Sequence, residues 1–232
     1  MKKGFTLSEV LITLSVVGVV AVLTIPGVMK NYRNRLYVAS LEKVYAQISD
    51  AAQAIMNDEH VDNFYETTAA GATSCTDANN GKCETGYGYF LTKYFKAVKY
   101  NCKKSDKSGC VSSSSSYYKT VGGTALDAGF SGTHCIQTAS GAAICGAYNN
   151  SNKCLSLSID VNGMAEPNVP GRDIFVVDVH KNGTISDFLS GCADGTRGTA
   201  ADQCTKGDTD TIGNASSGCL NNVIEAGWKM EY

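Results

Sequence analysis

Three sets of residues in this chain have the types and spacing to do chemistry. The first is Glu9, the one charged residue between Phe5 and Val28. A carboxylate inside so long an apolar run is costly in hydrocarbon and demands a partner, which usually marks function. The second is Asp160-Val161-Asn162-Gly163, with Glu166 and Asp173 close behind. Asp160, Asn162 and Asp173 are oxygen donors of the kind that hold calcium, although the twelve-residue EF-hand pattern is absent. The same four residues also read as an Asx turn with solvated carboxylates. The third set is the ten cysteines, Cys75, Cys83, Cys102, Cys110, Cys135, Cys145, Cys154, Cys192, Cys204 and Cys219. An even number of cysteines suits disulfides, which persist outside the reducing cytosol. There is no Cys-x-x-Cys, and His60, His134 and His180 are scattered, so a disulfide framework is the better account than zinc.

Catalytic patterns do not emerge. The chain has no Gly-x-Ser-x-Gly, no His-Glu-x-x-His and no phosphate loop. It does not read as an enzyme, and no cofactor beyond the calcium option is expected. Net charge is −2 with a pI near 5.9, which gives the whole chain no basic footprint for nucleic acid.

These groups need elements to place them. A helix from Phe5 to Val28 would be roughly 36 Å long, enough to cross a bilayer core of about 30 Å. The run is too long for a cleaved secretory signal, and no small-residue cleavage site follows it. A plain one-pass anchor would not need Glu9, and 24 nearly uncharged residues are too many for a buried core helix. Lys2 and Lys3 lie on one side and Lys30, Arg33 and Arg35 on the other, so flanking charge does not set the orientation. The cysteine-rich remainder does, because it belongs on the oxidising side.

Beyond the apolar run, Leu41, Val44, Tyr45, Ile48, Ala52 and Ile55 recur at helical spacing. With no Pro or Gly between Val28 and Asp58, one helix should continue to about Met56. Its first half is then apolar all round and its second half amphipathic. Residues 59–232 are rich in Gly, Ser, Thr, Asn and Asp, which suggests short strands and many loops. The clearest strand signals are Cys154–Val161 and Arg172–His180. Lys181-Asn182-Gly183 follows as a hairpin turn, in which both Asn and Gly tolerate positive φ. The expectation is an α+β fold, with the long N-terminal helix packed on a small antiparallel sheet of about four strands and disulfide-rich loops. Short spacing suggests Cys75–Cys83, Cys102–Cys110, Cys135–Cys145 and Cys192–Cys204, leaving Cys154–Cys219. Ten cysteines allow on the order of a thousand arrangements. Ser112–Ser116 reads as an exposed loop whose hydroxyls are open to glycans, and Trp228 as a core anchor.

The opening residues Gly4-Phe5-Thr6-Leu7-Ser8-Glu9-Val10-Leu11-Ile12 resemble the processing motif of type IV prepilins and of the pseudopilins of type II secretion. Pro26 strengthens the likeness, since the family often has Pro about two-thirds along its apolar helix. The specific match covers about 30 residues. The resemblance implies a leader at 1–4, a membrane and fibre-core helix at 5–28, an amphipathic continuation at 29–58 and a globular domain at 59–232. It implies cleavage between Gly4 and Phe5 by a prepilin peptidase in the membrane, then N-methylation of Phe5. It also implies pairing of Glu9 with the terminal ammonium of a neighbouring subunit. Pro26 then reads either as a kink or as the end of a stretch that unwinds in a fibre. The implied function is a structural subunit of a type IV pilus-like filament. The implied partners are other copies or other pilins, the peptidase, an inner-membrane assembly platform and the membrane itself, with no nucleic acid. The implied location is the inner membrane first and an extracellular or periplasmic filament afterwards. A secretion pseudopilin is the alternative, and some pseudopilins bind calcium in a C-terminal loop. A minor tip adhesin, binding a surface ligand through its Ser- and Gly-rich loops, is another.

Overall fold

The structure, a computed structural model, describes residues 4, 6–104, 108–114, 117–126, 130, 132, 134–149, 153–188, 212 and 216–232. The chain forms two compact units, Met1–Leu36 and Tyr37–Tyr232. Helix α1, Leu7–Asp58, runs through both and is unbroken at Pro26. In the first unit its large apolar side chains are exposed: Leu7 is 79% exposed and Leu23 is 76% exposed. The helix is long and apolar enough there to cross a membrane. Thr13, Ser15 and Thr24 donate their hydroxyls to the carbonyls of Glu9, Leu11 and Val20, four residues back. That satisfies each polar side chain within the helix, as hydrocarbon requires.

In the second unit the same helix turns amphipathic. Val38, Leu41, Val44, Ile48, Ala51, Ala52, Ile55 and Met56 are buried. The stripe read from the sequence is this face, except that Tyr45 is only partly buried and meets the Trp228 ring edge-on at 5.6 Å. Trp228 is likewise partly buried against the core. The stripe shares one core with Ile136, Ile144, Leu155, Leu157, Ile159, Phe175, Val177 and Val179.

Those residues come from a six-stranded antiparallel sheet. Before it in sequence come β1 (Ser74–Asp77) paired with β2 (Lys82–Thr85), then α2 (Gly86–Tyr94). The sheet strands are β3 (Ala97–Lys99), β6 (His134–Thr138), β7 (Ala143–Asn149), β8 (Cys154–Asp160), β9 (Ile174–Val179) and β10 (Ile185–Asp187). Between β3 and β6, β4 (Lys103–Lys104) and β5 (Val111–Ser112) pair in parallel. The spatial order is β10-β9-β8-β7-β6-β3. Four longer strands form the middle, and two three-residue strands cap the edges: β10, the second arm of the Asn-Gly hairpin, and β3, which is too short to announce itself in sequence.

All six residues of β9 are buried because both faces of the sheet are covered. Ile174 and Val176 face a second core with Tyr118, Leu126 and Phe130. Ser112, expected in an exposed loop, is 1% exposed, and its N–H donates to the Tyr118 hydroxyl at 2.8 Å. Tyr118 draws it in, since a buried phenol needs a hydrogen-bond partner. Ser113 is exposed and Ser114 half-buried, while Ser115 and Ser116 lie outside the described residues. At the β9–β10 hairpin only Gly183 takes positive φ, at 75°, and Asn182 does not. Asn182 acts through its side chain instead, accepting from the N–H and hydroxyl of Thr184 at 3.1 and 2.7 Å. A short helix, α3 (Cys219–Glu225), follows near the C-terminus.

Three bridges join described residues: Cys75–Cys83, Cys102–Cys110 and Cys135–Cys145. The first and third link residues directly opposite in β1–β2 and β6–β7. Cys154–Cys219 and Cys192–Cys204 are not among these three. Cys154 and Cys219 are each disulfide-bonded, and Cys192 and Cys204 lie outside the described residues.

Candidate functional site

At the N-terminus, Gly4 is exposed, and a Cβ added there would meet nothing within 4 Å. Phe5 lies outside the described residues. Thr6 precedes the first helical residue, and Glu9 sits three positions on. The Glu9 carboxylate accepts from the Thr6 N–H and the Thr6 hydroxyl, both at 2.8 Å. The Thr6 hydroxyl oxygen in turn accepts from the Glu9 N–H at 3.3 Å. This is a capping box, in which two helix-end donors are satisfied reciprocally. The pattern Thr-x-x-Glu was legible in the sequence, yet the expectation placed on Glu9 was assembly alone. Both roles are compatible. A cut after Gly4 would leave the Thr6 amide intact, so the cap survives cleavage. Pro26 removes the donor that Val22 would have used, and the helix continues across it.

The second site is the excursion between β8 and β9. Asp160 pairs with Ile174 in register, and the Val161 N–H donates to the Asp173 carbonyl at 2.9 Å. The loop therefore closes on itself at the end of the sheet and sets Asp160 and Asp173 at its two ends. Both are fully buried. One Asp160 carboxylate oxygen accepts from the Asn162 N–H at 3.2 Å, while Oδ2 is buried with no donor. The Gly163 N–H also reaches the Asp160 carboxyl, from a φ of 66° that favours glycine. Asp173 accepts from the Asn168 and Val169 N–H groups at 2.8 Å each. Asn162 Oδ1 and Asn168 Oδ1 are likewise buried without donors among the described residues.

Burial pushes both carboxyls up: Asp160 rises well above the ordinary carboxylate range, with the Asp173 charge adding to the rise, and Asp173 is pushed to about 6. The nearby cation, Arg172, is turned to the C-terminus, donating to the Tyr232 carbonyl at 2.5 Å with its guanidinium 5.2 Å from the Tyr232 ring. Three buried oxygens without donors among the described residues, beside two buried carboxyls, make a donor set suited to a hard cation such as calcium. Asp160, Asn162 and Asp173 are brought together, as their spacing suggested. Glu166 is exposed and contributes its backbone carbonyl, to Asn162 Nδ2 at 3.3 Å. Asn168 was missed. Its signal is slight, since an Asn at φ 55° beside a buried Asp becomes visible only in three dimensions.

His134 also gains a neighbour that the sequence did not suggest. Its Nε2 lies 3.4 Å from Cys75 Sγ, and with Cys83 the three ligand atoms fall within 4.8 Å of one another. The two sulfurs are bonded to each other, so neither offers a thiolate.

Residues 1–25 match the family profile described as the prokaryotic N-terminal methylation motif. No curated protein and no solved structure matches the chain significantly. The chain thus carries the prepilin motif of type IV pilins and pseudopilins on an α+β, pilin-like structure. That motif supports a type IV pilin-like or pseudopilin protein, made as a membrane-anchored precursor and processed by prepilin peptidase.

Proposed function

We propose that this chain is the structural subunit of a type IV pilus-like filament. A prepilin peptidase cuts between Gly4 and Phe5, and Phe5 is methylated. The precursor sits in the inner membrane through residues 5–28 until an assembly platform lifts it into an extracellular fibre. The observation that carries the reading is the N-terminal motif on a helix whose large apolar side chains are exposed from Leu7 to Met29. Outside lipid, that surface requires the same surface of other subunits, and hydrophobic contact then replaces lipid contact. Glu9 exchanges its capping contacts with Thr6 for the ammonium of the neighbouring Phe5, a pair tolerable in apolar surroundings where either charge alone is not.

Mass spectrometry of the unreduced protein from its native cells tests this. The expected result is a mature N-terminus at Phe5 carrying one extra methyl. An intact Met1, or a cut near Pro26, overturns it.

The loop from Asp160 to Asp173 favours a second reading, a pseudopilin of a type II secretion system, since some of those bind calcium in such a loop. We propose that Asp160, Asn162, Asn168 and Asp173 hold calcium here. Bound, the ion would neutralise the two buried carboxylates and lock the end of the sheet. The two readings part on where the fibre is found: outside the cell for a pilus, in the periplasm for a pseudopilus.

A further inference from the structure

Residues 93–104 hold five lysines and no carboxylate in a chain whose net charge is −2. The segment covers the last turn of α2 and all of β3 and β4, and β3 is an edge strand of the sheet. Two of the lysines serve the fold. Lys93 Nζ donates to the Tyr89 hydroxyl at 2.5 Å, and Lys103 Nζ to the carbonyls of Phe130 and Gly132. Lys96, Lys99 and Lys104 are exposed, and no side-chain partner among the described residues engages their ammonium groups.

Two clefts are lined from this segment, one by Tyr94, Phe95 and Lys96 and the other by Val98, Lys99 and Tyr100. One, of about 540 Å³, has Lys96 and Lys43 at its rim, with Gln47, Thr138 and Ser140 as polar lining. Asp50 is the acidic residue lining it among the described residues. The other, of about 460 Å³, carries Lys99 and Lys104 with Asn79, Asn80, Tyr100 and Asn101, and no acid among the described residues. Its walls are preformed. Tyr100 lies so close over Gly81 that a Cβ there would fall 2.7 Å from the ring. Asn101 Nδ2 donates to Asn79 Oδ1 at 3.0 Å, and the Cys102–Cys110 bridge backs the floor. Lys96 and Lys99 are three residues apart in extended chain, roughly 10 Å.

We infer that the β3 edge, with Lys96, Lys99 and Lys104 and the two clefts beside it, is a docking surface for a linear polysaccharide that carries carboxylates. A small anion would need one cleft, whereas two clefts joined by a lysine-bearing strand suit a chain. Lysines act as point charges, which matches carboxylates spaced along a polymer. Arginine, the better bidentate partner of phosphate, is absent from the segment. The amides and hydroxyls lining both clefts suit sugar hydroxyls.

The test uses the detergent-solubilised full chain and immobilised polygalacturonate, with neutral dextran and duplex DNA as comparisons at one salt concentration. The expected result is retention on polygalacturonate and none on dextran. A triple Lys96→Gln, Lys99→Gln, Lys104→Gln variant should lose about tenfold in affinity, three exposed ion pairs of modest strength acting together. Lys99→Glu alone, a single exposed change, should weaken binding and guards against a triple variant that misfolds. A control of equal charge change, Lys153→Gln, Lys181→Gln, Lys229→Gln, should bind as the parent does. No retention, equal loss in the control, or tighter binding to DNA than to polygalacturonate overturns the inference. Filament yield, read separately in cells, reports on the filament reading alone, because the lysine variants leave the N-terminal motif untouched.

Discussion

Calcium and acid should act on the Asp160–Asp173 loop in the same direction. Burial pushes Asp173 from an ordinary 3.8 up to about 6. The folded state therefore binds this proton more tightly than the unfolded state. Stability is fully present below pH 3.8 and falls as pH rises through about 6. At 1.36 kcal/mol per pH unit, that interval costs the folded protein about 3 kcal/mol by pH 7. Asp160 adds to the loss in the same direction. A cation between the two carboxylates offsets it, and calcium at a hundred times its Kd would stabilise by about 2.7 kcal/mol. In a domain of this size, 3 kcal/mol corresponds to roughly 6–12 °C in Tm.

The assay is thermal melting of the detergent-solubilised chain, followed by near-ultraviolet circular dichroism. In chelator, Tm should drop between pH 4 and pH 7; at pH 7, calcium should restore much of it and magnesium less. Asp187, held by the N–H of Asn221 and pushed to about 6 by burial, shares the pH trend but not the calcium response. Asp160→Asn keeps one acceptor for Asn162 and removes the oxygen that has no donor. It should melt above the parent in chelator at pH 7 and should not respond to calcium. A Tm that rises from pH 4 to pH 7 in chelator would refute the burial reasoning. A parent indifferent to calcium would refute the cation.

Other outcomes follow from single contacts. Glu9→Ala should insert in the membrane yet give few filaments by electron microscopy; normal filament yield would remove Glu9 from assembly. Ile48→Ala empties a fully buried position beneath the sheet and should cost about 2–5 kcal/mol in urea unfolding. A cost below 1 kcal/mol would mean that the helix stripe is not the core. Gly146→Ala would put a Cβ 2.4 Å from Cδ2 of Tyr87, so about 1–3 kcal/mol should be lost, and a neutral result would show that Tyr87 is free to move.

Local chemistry made part of this protein readable in sequence. The Gly4–Glu9 motif, the apolar run and the Leu41–Ile55 stripe are patterns of residues one to four apart, set by helix geometry alone. The bridges Cys75–Cys83, Cys102–Cys110 and Cys135–Cys145 were legible for a related reason, since each closes a short segment. The strands β8 and β9 and the hairpin after them showed through β-branched runs and Asn-Gly.

What tertiary structure decided were relations between residues distant in sequence or hidden from local pattern. The three-residue edge strand β3 exists because its neighbour β6 offers hydrogen bonds, not because its residues favour extension. Ser112 is buried because Tyr118 needs a partner. The loop between β8 and β9 turns an ordinary Asp-x-Asn-Gly into a candidate cation site only because the sheet closes its ends and buries Asp160, Asp173 and Asn168 together. In water those carboxylates would be an unremarked turn. Removed from water, with one Asp160 oxygen left without a donor among the described residues, they favour a proton or a cation, and burial is a property of the fold rather than of the string of residues.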